Sequence, residues 1–315
     1  MVSKAKVMIC GDIVWAHDEV QSMLGPLAEI VRMDSQSREE FYRELSGKFA
    51  GTTVIYRHNT SADRIGIFDA ELVDKLPDSV KWIGHNGAGY DQIDIDACKK
   101  RGIKVSNTPG AVDIGTATTA LYLLVSAVRQ YSIAERQARS GLWKNGLKPA
   151  HDPSALTLGI LGLGGIGLTL ARFCNGFPMK QIYYHSRSPR ADAPDYIEYC
   201  STLEELLAKS DVLSLHVPLK PETEGMIGER EFGLMKKGAI LINTARGKLS
   251  AAGIDVYPDE PNINPELLEF RNVTLLPHMG TETQESQKSM EIRALENLRT
   301  YLTGGEPRDL IPEFK

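Results

Sequence analysis

The sequence has few cysteines, and their positions form no recognisable pairing or metal-binding pattern. The 315 residues include four cysteines, none of them in a Cys-x-x-Cys pair: Cys10, Cys98, Cys174 and Cys200. This scatter excludes a disulfide framework and a zinc site of the usual spacing. We therefore expect four reduced cysteines that serve as packing residues, and no metal centre.

Long apolar runs and an excess of positive charge are also missing. No apolar stretch reaches the roughly 18 residues that a membrane-spanning helix needs. The net charge of -5 offers no basic surface for nucleic acid. The amino-terminal stretch MVSKAKVMICGD enters a strand-like run at once and has the pattern of neither a signal peptide nor a transit peptide. The sequence thus predicts a cytoplasmic globular protein that binds neither membranes nor nucleic acids.

The first part of the chain alternates short apolar runs with helical stretches. The runs are rich in β-branched residues and lie at 6–10, 52–57, 80–85 and 103–107. Helical patterns lie between them, at 37–50 and 68–76. This alternation predicts a parallel sheet with helices on its faces. A single long helix is predicted over 108–141, and its apolar residues on several faces indicate burial between domains or subunits.

The second part of the chain predicts another parallel sheet. Apolar runs lie at 182–185, 211–218, 238–245, 252–257 and 273–278. Together with the run that precedes residue 162 they make about six strands, as in a doubly wound nucleotide-binding sheet. A helix is predicted over 283–305, where it ends at glycines.

These patterns predict an α/β fold of two Rossmann-like domains, each a doubly wound parallel sheet, with a cleft between them for the ligand. A length of 315 residues suits two domains. A substrate-binding, flavodoxin-like domain would span 1–107 and be completed by the C-terminal segment 284–315. A dinucleotide-binding Rossmann domain would span 108–283.

Residues 156–187 are the most informative part of the sequence, because they combine a strand, a glycine turn, a helix and a second strand. In the turn, Gly162 allows a tight bend, Gly164 lets the backbone approach a pyrophosphate, and Gly167 lets the helix pack close to the sheet. The N–H groups that begin the helix point at the anion. We therefore predict a dinucleotide site, with an ordinary glycine turn as the alternative. Its residues are Gly162, Gly164, Gly165, Ile166 and Gly167.

The residues that follow the second strand indicate which cofactor is bound. An NAD-selective site usually has an Asp or Glu here that binds the ribose 2′-OH. This chain has Tyr-His-Ser-Arg-Ser-Pro-Arg at 184–190 and no carboxylate. Arg187, and Arg190 as a further candidate, could bind a 2′-phosphate together with Ser186 and Ser188. The sequence favours NADP over NAD, and a solvated basic turn is the alternative.

Three residues that could perform carbonyl reduction follow predicted strands in the second half. They are Arg246, Glu260 and His278. In open α/β sheets ligands bind beyond the carboxyl ends of the strands. Arg246 can bind a substrate carboxylate and polarise the neighbouring carbonyl, and His278 can donate a proton as hydride arrives. Glu260 can orient the imidazole and favour its protonated form. Each residue alone is more often an ordinary surface or loop residue, so the combination carries the prediction.

With these motifs in place, the chain resembles the D-isomer-specific 2-hydroxyacid dehydrogenases over essentially its whole length. The resemblance rests on GLGGIG at 162–167, HVPL at 216–219, INTARG at 242–247, GIDVYPDEP at 253–261 and LLPHMGTET at 275–283. HNGAGYDQIDID at 85–96 and SNTPGAV at 106–112 match the substrate-domain and hinge motifs. The stretch 259–280 is most similar to the branch of fungal-type glyoxylate reductases and D-mandelate dehydrogenases.

The resemblance implies roles for residues at matching positions. It assigns catalysis to Arg246, Glu260 and His278. Binding of the substrate carboxylate falls to the loop Asn86, Gly87, Ala88 and Gly89, whose N–H groups can form an anion nest, with a plain tight turn as the alternative. Further cofactor contacts are implied for Thr116 at the nicotinamide, Asp255 at its carboxamide, Val217 and Pro218 on the adenosine side, and Thr244, Ala245 and Gly280. From its place near a strand end, Arg57 is a further candidate to face the substrate.

The expected function is NADPH-dependent reduction of a 2-keto acid to the D-2-hydroxy acid. Glyoxylate, hydroxypyruvate and phenylglyoxylate share the carboxylate and carbonyl that Arg246 would bind. The resemblance also implies a homodimer. The alternatives are NAD-dependent oxidation of a D-2-hydroxy acid and a non-catalytic, dinucleotide-sensing regulator of the same fold.

One connection does not fit a parallel sheet. Only residues 246–251 join the predicted strands 238–245 and 252–257, whereas a parallel crossover needs about a dozen residues or more. Either these strands are not parallel neighbours or a segment is missing. We favour a missing helix of roughly 12–16 residues between Leu249 and Ser250, with a true deletion as the alternative. The missing helix predicts a separation wider than the roughly 3.8 Å of bonded Cα atoms.

Overall fold

The computed structural model describes residues 4–245, 253–258, 260–270 and 273–315. The chain forms two compact units, one of Met1–Val112 with Thr283–Lys315 and the other of Asp113–Glu282. Each unit contains one sheet in which every pair of neighbouring strands is parallel. The predicted α/β class with two parallel sheets is therefore confirmed.

The elements are numbered in chain order. The strands are β1 Ala5–Cys10, β2 Ala28–Arg32, β3 Thr52–His58, β4 Trp82–Asn86, β5 Lys104–Ser106, β6 Thr157–Leu161, β7 Gln181–His185, β8 Ile197–Tyr199, β9 Val212–Leu215, β10 Ile240–Asn243, β11 Gly253–Ile254 and β12 Thr274–Leu275. The α-helices are α1 His17–Leu24, α2 Arg38–Leu45, α3 Ala62–Ile65, α4 Ala70–Lys75, α5 Ile95–Lys100, α6 Asp113–Arg129, α7 Tyr131–Arg139, α8 Gly165–Asn175, α9 Leu203–Lys209, α10 Glu229–Leu234, α11 Pro265–Glu269 and α12 Gln284–Leu302.

The first unit is a five-stranded sheet in the order β2-β1-β3-β4-β5. Successive side chains of a strand point to opposite faces, and in β1 both sets are buried. Met8 and Cys10 belong to a core cluster with α2, α4 and α5, whereas Val7 and Ile9 belong to a second cluster with α1 and α12. The sheet is thus covered by helices on both faces, which explains why its strands are apolar runs.

Helix α12 is fixed to the start of the chain by a buried carboxylate. Glu291 is 3% exposed, and it accepts hydrogen bonds from the backbone N–H groups of Val14 at 2.7 Å, Trp15 at 2.8 Å and Ala16 at 2.8 Å. Hydrogen bonds to a charged acceptor are stronger than neutral ones, and these satisfy N–H groups just before α1. The first unit therefore depends on both ends of the sequence.

The second unit is a seven-stranded sheet in the order β12-β11-β10-β9-β6-β7-β8. The interior strand β6 is buried throughout. One core cluster contains residues of α6 and α8, and another contains residues of α9. The sequence predicts about six strands here, and the additional one is the short edge strand β8, in which only Ile197 is buried.

The single helix predicted over 108–141 is wrong. The structure has α6 and α7 instead, separated by Gln130 in a left-handed conformation with φ of 56°. A left-handed residue interrupts a right-handed helix. Neither glycine nor proline occupies the break, so composition could not reveal it.

The two explanations for the short junction have different outcomes. β10 and β11 are parallel neighbours that pair Ile242 with Gly253 and Asn243 with Ile254. The possibility that these strands are not neighbours is therefore wrong. The predicted gap between Leu249 and Ser250 lies outside the described residues.

The four cysteines are buried free thiols. Burial raises the pKa of Cys10, Cys98 and Cys174 to about 12 and the pKa of Cys200 to about 11. Thiols with raised pKa values are poor nucleophiles, because the reactive species is the thiolate.

Among the described residues, no helix has both the length and the apolarity that crossing a membrane requires.

Candidate active site

Packing requires glycine at two positions of the turn after β6. Gly162 has φ of 94°, and a methyl group there would lie 2.6 Å from the carbonyl oxygen of His216. A methyl group on Gly167 would lie 2.2 Å from the carbonyl oxygen of Gly162. Both contacts are far too short, so these glycines let α8 begin directly against β6.

The other two glycines of the turn differ from each other. A methyl group on Gly165 would lie 2.0 Å from a carboxylate oxygen of Asp113, whereas a methyl group on Gly164 would have no neighbour within 4 Å. Gly164 precedes the first residue of α8, and no side chain caps that helix end from this position. Ile166 is half-buried and packs against the core cluster of the unit. The protein's own packing therefore gives no reason for glycine at 164.

The turn after β7 contains the residues predicted to select the cofactor. The Ser186 hydroxyl donates to the carbonyl of Ser188 at 2.7 Å, and Arg187 and Ser188 are exposed. Arg190 instead forms a forked ion pair with Asp192, at 2.5 and 2.9 Å, and donates to the carbonyl of Leu163 at 2.8 Å. Hydrogen bonding from Arg190 lowers the pKa of Asp192. Arg190 thus supports the glycine turn, and Arg187 is the exposed guanidinium of this segment.

Three buried polar atoms at the ends of β9 and β10 have no hydrogen-bond partner within the described part of the chain. They are Nδ1 of His216, Nδ2 of Asn243 and Oγ1 of Thr244. His216 as a residue is half-buried, but desolvation of its ring lowers its pKa to about 4, and its Nε2 is 2.8 Å from the hydroxyl of Ser214. Buried polar atoms are almost always paired. Their grouping at the carboxyl ends of adjacent parallel strands fits a polar ligand such as a dinucleotide.

The neighbours of these atoms complete the segments predicted for the cofactor. Val217 is half-buried and Pro218 is exposed, immediately after His216. The Ala245 N–H donates to Oδ1 of Asn243 at 3.0 Å, which fixes the turn after β10. The sequence-based assignment omitted His216 and Asn243, although they belong to the HVPL and INTARG motifs. Unpaired buried atoms cannot be read from a motif, because pairing depends on the fold.

His278 and Glu260 are brought together in the second unit. Nδ1 of His278 is 2.8 Å from Oε2 of Glu260, and Oε1 of Glu260 accepts the Tyr257 N–H at 2.8 Å. The side chains of the pair are 39% and 34% exposed, respectively. Because Nδ1–H donates to the carboxylate, Nε2 is the ring atom that can exchange a proton with a ligand.

A buried carboxylate fixes the turn that carries His278. His278 has φ of 57° and ψ of 51°, and its N–H donates to the Asp255 carbonyl at 2.8 Å. The Asp255 side chain accepts the N–H groups of Met279 at 2.7 Å and Gly280 at 2.9 Å. Desolvation raises the pKa of Asp255, and these two N–H groups oppose the rise. The Thr116 hydroxyl donates to the Gly280 carbonyl at 3.2 Å, so the left-handed turn is held on both sides.

Arg246, the third predicted catalytic residue, lies outside the described residues. Among those described, no group of histidine, cysteine, aspartate or glutamate side chains could hold a metal ion. The chemistry available in the second unit is therefore a nucleotide-type glycine turn together with a carboxylate-oriented histidine.

The predicted substrate-binding residues Asn86–Gly89 lie at the end of β4 and in the loop that follows it. Asn86 is 3% exposed, and its Nδ2 donates to the Tyr56 hydroxyl at 2.8 Å. The Gly87 N–H donates to the Thr108 hydroxyl at 3.0 Å, so this amide is already used within the protein. Ala88 and Gly89 follow in the same loop. Of the predicted nest, the two later amides are therefore the candidates for ligand binding.

Arg57 is the remaining residue predicted to bind the substrate. Arg57 lies within β3 rather than after it, and it is 0% exposed. Its Nη1 donates to Asn59 Oδ1 at 2.6 Å and its Nη2 to Gln92 Oε1 at 2.6 Å. These two side chains hold the guanidinium within the first unit. No strand pattern in the sequence indicates that they are its partners.

Comparison with known proteins identifies the family of the chain. The family described as D-isomer specific 2-hydroxyacid dehydrogenase, NAD binding domain, matches residues 121–251. A 4-methyl-2-oxopentanoate reductase A from Aspergillus oryzae is 41% identical over 324 residues, covering 98% of this chain and 98% of the relative. That alignment is longer than the 315 residues of this chain, so the relative has residues that this chain lacks.

Solved structures give the same result. The glyoxylate reductase from Paecilomyes thermophila has a TM-score of 0.93 and 41% identity, covering 100% of both chains. An NADPH-dependent glyoxylate/hydroxypyruvate reductase from Sinorhizobium meliloti, solved with NADP and malonate, has a TM-score of 0.81 and 27% identity, covering 99% of this chain and 98% of that one. The chain therefore belongs to the D-isomer specific 2-hydroxyacid dehydrogenase family of NAD(P)-dependent oxidoreductases.

Proposed function

We propose that the protein reduces a 2-keto acid to the D-2-hydroxy acid with NADPH. The observation that carries this proposal is the His278–Glu260 pair, at 2.8 Å, on a turn fixed by Asp255. A binding-only protein has no need of a histidine held with one nitrogen on a carboxylate. Relatives named as reductases of glyoxylate and 4-methyl-2-oxopentanoate support the substrate class.

Each residue has a defined part in the proposed reaction. The cofactor supplies hydride to the carbonyl carbon of the substrate. His278 donates a proton from Nε2 to the carbonyl oxygen, and Glu260 orients the imidazole through its contact with Nδ1. Arg246 binds the substrate carboxylate and polarises the carbonyl. One hydride and one proton thus convert the carbonyl to a hydroxyl, and Glu260 remains an orienting residue throughout.

The chain's own residues fit a dinucleotide at the glycine turn. Open space beside Gly164 would admit a pyrophosphate, and the unpaired atoms of His216, Asn243 and Thr244 would gain partners. Exposed Arg187, with Ser186 and Ser188, would bind a 2′-phosphate. The lack of a carboxylate directly after β7 favours NADP over NAD.

Two glycine substitutions separate cofactor binding from packing. Gly164→Ala should lower the free energy of unfolding by less than about 1 kcal/mol, the cost of replacing a glycine cap. It should weaken NADPH binding by about tenfold, or about 1.4 kcal/mol, because the methyl group enters the space left for the pyrophosphate. Fluorescence titration measures the binding, and urea unfolding measures the stability.

Gly167→Ala is the matched control, because its methyl group would meet the backbone of Gly162 at 2.2 Å. This variant should lose about 1–3 kcal/mol of stability through overpacking. If Gly164→Ala bound NADPH as the parent does, the pyrophosphate would not lie at this glycine.

The function itself is tested with a panel of 2-keto acids, each with NADPH and with NADH. Turnover of glyoxylate, hydroxypyruvate or phenylglyoxylate with NADPH supports the proposal. Dinucleotide binding without turnover of any acid would instead identify a nucleotide-sensing regulator. Faster turnover with NADH would reverse the assignment of the cofactor.

We infer that two copies of the chain associate through residues 129–152. None of these residues is buried. They include two large apolar side chains, Leu142 and Trp143, which are 52% and 74% exposed. Large exposed apolar residues on such a segment are typical of an interface. Light scattering should give twice the chain mass of 34.7 kDa for the parent protein, and Trp143→Asp should shift it to the single chain. Leu268→Asp, at another exposed apolar position, should leave the mass unchanged; a single-chain mass for the parent would contradict the inference.

A further inference from the structure

The loop Gly87–Gly89 has every one of its carbonyl groups bound to the protein. The Gly87 carbonyl accepts the Thr108 N–H at 3.0 Å, and the Ala88 carbonyl accepts Nδ2 of Asn107 at 2.8 Å. The Gly89 carbonyl is 2.8 Å from Nε2 of His85. Carbonyl dipoles that are tied back in this way leave the N–H side of a loop electropositive, as an anion nest requires.

His85 makes the last of these contacts from a buried position at the end of β4. Its side chain is 0% exposed, and a methyl group on Gly87 would lie 2.6 Å from Nε2 of His85. The imidazole is therefore packed directly beneath the loop. Any side chain at 87 would displace either the ring or the loop.

Arg57 determines which nitrogen of His85 carries the proton. Nη1 of Arg57 is 3.4 Å from Nδ1 of His85. A guanidinium can only donate hydrogen bonds, so Nδ1 is the acceptor. Nε2 then carries the hydrogen and donates it to the Gly89 carbonyl. The contact at 3.4 Å is long, but it is the arrangement in which both ring nitrogens have a partner.

Arg57 also fixes the segment on both sides of the loop. Nη2 of Arg57 donates to Gln92, which follows the loop in sequence, at 2.6 Å. The guanidinium lies 5.7 Å from the centre of the Phe68 ring. A buried positive charge in this apolar setting acts over a longer distance than a solvated one. It therefore adds to the electropositive character of the amide side of the loop.

From this geometry we propose that Arg57 and His85 are positioning residues for the substrate carboxylate. Through the Gly89 carbonyl they hold the Ala88 and Gly89 amides in the orientation that binds a carboxylate. Neither side chain touches the substrate. The proposal rests on the reductase function proposed above. It implies that the first unit selects 2-keto acids over neutral carbonyl compounds.

The test replaces His85 by one residue that lacks a hydrogen-bond donor and by another that retains one. His85→Phe removes the hydrogen bond to the Gly89 carbonyl. It should raise the KM for glyoxylate roughly tenfold with little change in kcat, because an amide that is no longer held in position loses about one hydrogen bond to the substrate carboxylate. His85→Gln places an amide nitrogen near the position of Nε2 and should restore most of the lost affinity. The dissociation constant of NADPH should be the same in all three proteins.

Two further variants keep the test decisive if His85→Phe does not fold. Asn107→Ala removes the donor to the Ala88 carbonyl and should also raise the KM. Ser35→Ala removes a buried hydroxyl that bonds to Glu44 elsewhere in the same unit, and it should leave the KM unchanged.

Binding of oxamate to the NADPH-loaded protein gives a readout that needs no turnover. Oxamate carries the same carboxylate next to a carbonyl, and its affinity should fall in His85→Phe by the factor seen in the KM. Unchanged oxamate binding and unchanged KM in both His85→Phe and Asn107→Ala would overturn the proposal. Equal losses in kcat and in NADPH affinity would overturn it as well. A parent protein that turns over no 2-keto acid would instead reject the reductase function, a result distinct from these.

Discussion

Replacing His278 by asparagine is expected to reduce the rate constant of reduction by roughly 100- to 10,000-fold, the contribution of a general acid. Asparagine can still hydrogen-bond but has no proton to transfer at neutral pH. The Asp255 contacts to Met279 and Gly280 use backbone groups, so the turn should retain its shape. NADPH binding should therefore be unchanged. Single-turnover rates at saturating NADPH measure the loss, and fluorescence titration measures the binding.

Glu260→Gln tests the other half of the pair. The Glu260 carboxylate, 2.8 Å from Nδ1 of His278, orients the imidazole so that Nε2 can donate the proton. Without the carboxylate the ring is less well oriented, so the single-turnover rate constant of reduction should fall, by less than in His278→Asn, while NADPH binding stays unchanged. An unchanged rate constant in Glu260→Gln would show that the pair does not act together.

Arg187→Ala is expected to weaken the use of NADPH by roughly 10- to 100-fold and to leave the use of NADH almost unchanged. Loss of one charge-assisted hydrogen bond costs about 1.5–3 kcal/mol, and each 1.4 kcal/mol corresponds to about tenfold. Arg187 is exposed, so its removal should not disturb the fold. The ratio of kcat/KM values for the two cofactors measures the effect.

A matched control for Arg187 is the exposed Arg172 on α8. Arg172→Ala removes the same charge from the same unit but lies outside the turn after β7. It should leave both cofactors unaffected. Equal losses with NADPH and NADH in Arg187→Ala would mean that Arg187 contacts something other than a 2′-phosphate.

The sequence predicted those parts of the fold that depend on local chemistry. Gly162, with φ of 94°, and Gly167, with its 2.2 Å approach, have requirements that only glycine meets. The buried parallel strands were equally visible, because continuous apolar runs are typical of sheets covered on both faces. The two strands that were missed, β2 and β8, are partly exposed, with only Ala28 and Ile197 buried.

The site was less predictable where it depends on pairing between distant residues. Arg57 was predicted from the sequence only as a candidate to face the substrate, because no pattern reveals that Asn59, His85 and Gln92 surround it. Arg190 was also a candidate phosphate ligand, because the sequence does not show that it donates to the Asp192 carboxylate and to the Leu163 carbonyl. Hydrogen-bond partners are a property of the tertiary structure, and sequence indicates only which residues are able to form them.

The attachment of α12 to the start of the chain has a consequence for biosynthesis. During translation, residues 4–112 emerge long before Glu291 and the apolar face of α12 exist to meet them. Domains generally fold as units as they leave the ribosome, and the second unit is formed by one range of the sequence, Asp113–Glu282. It can reach its native state while one apolar face of the first sheet is still uncovered. An exposed apolar surface of this kind is prone to aggregation and is bound by chaperones. We therefore expect the unit that is synthesised first to finish folding last.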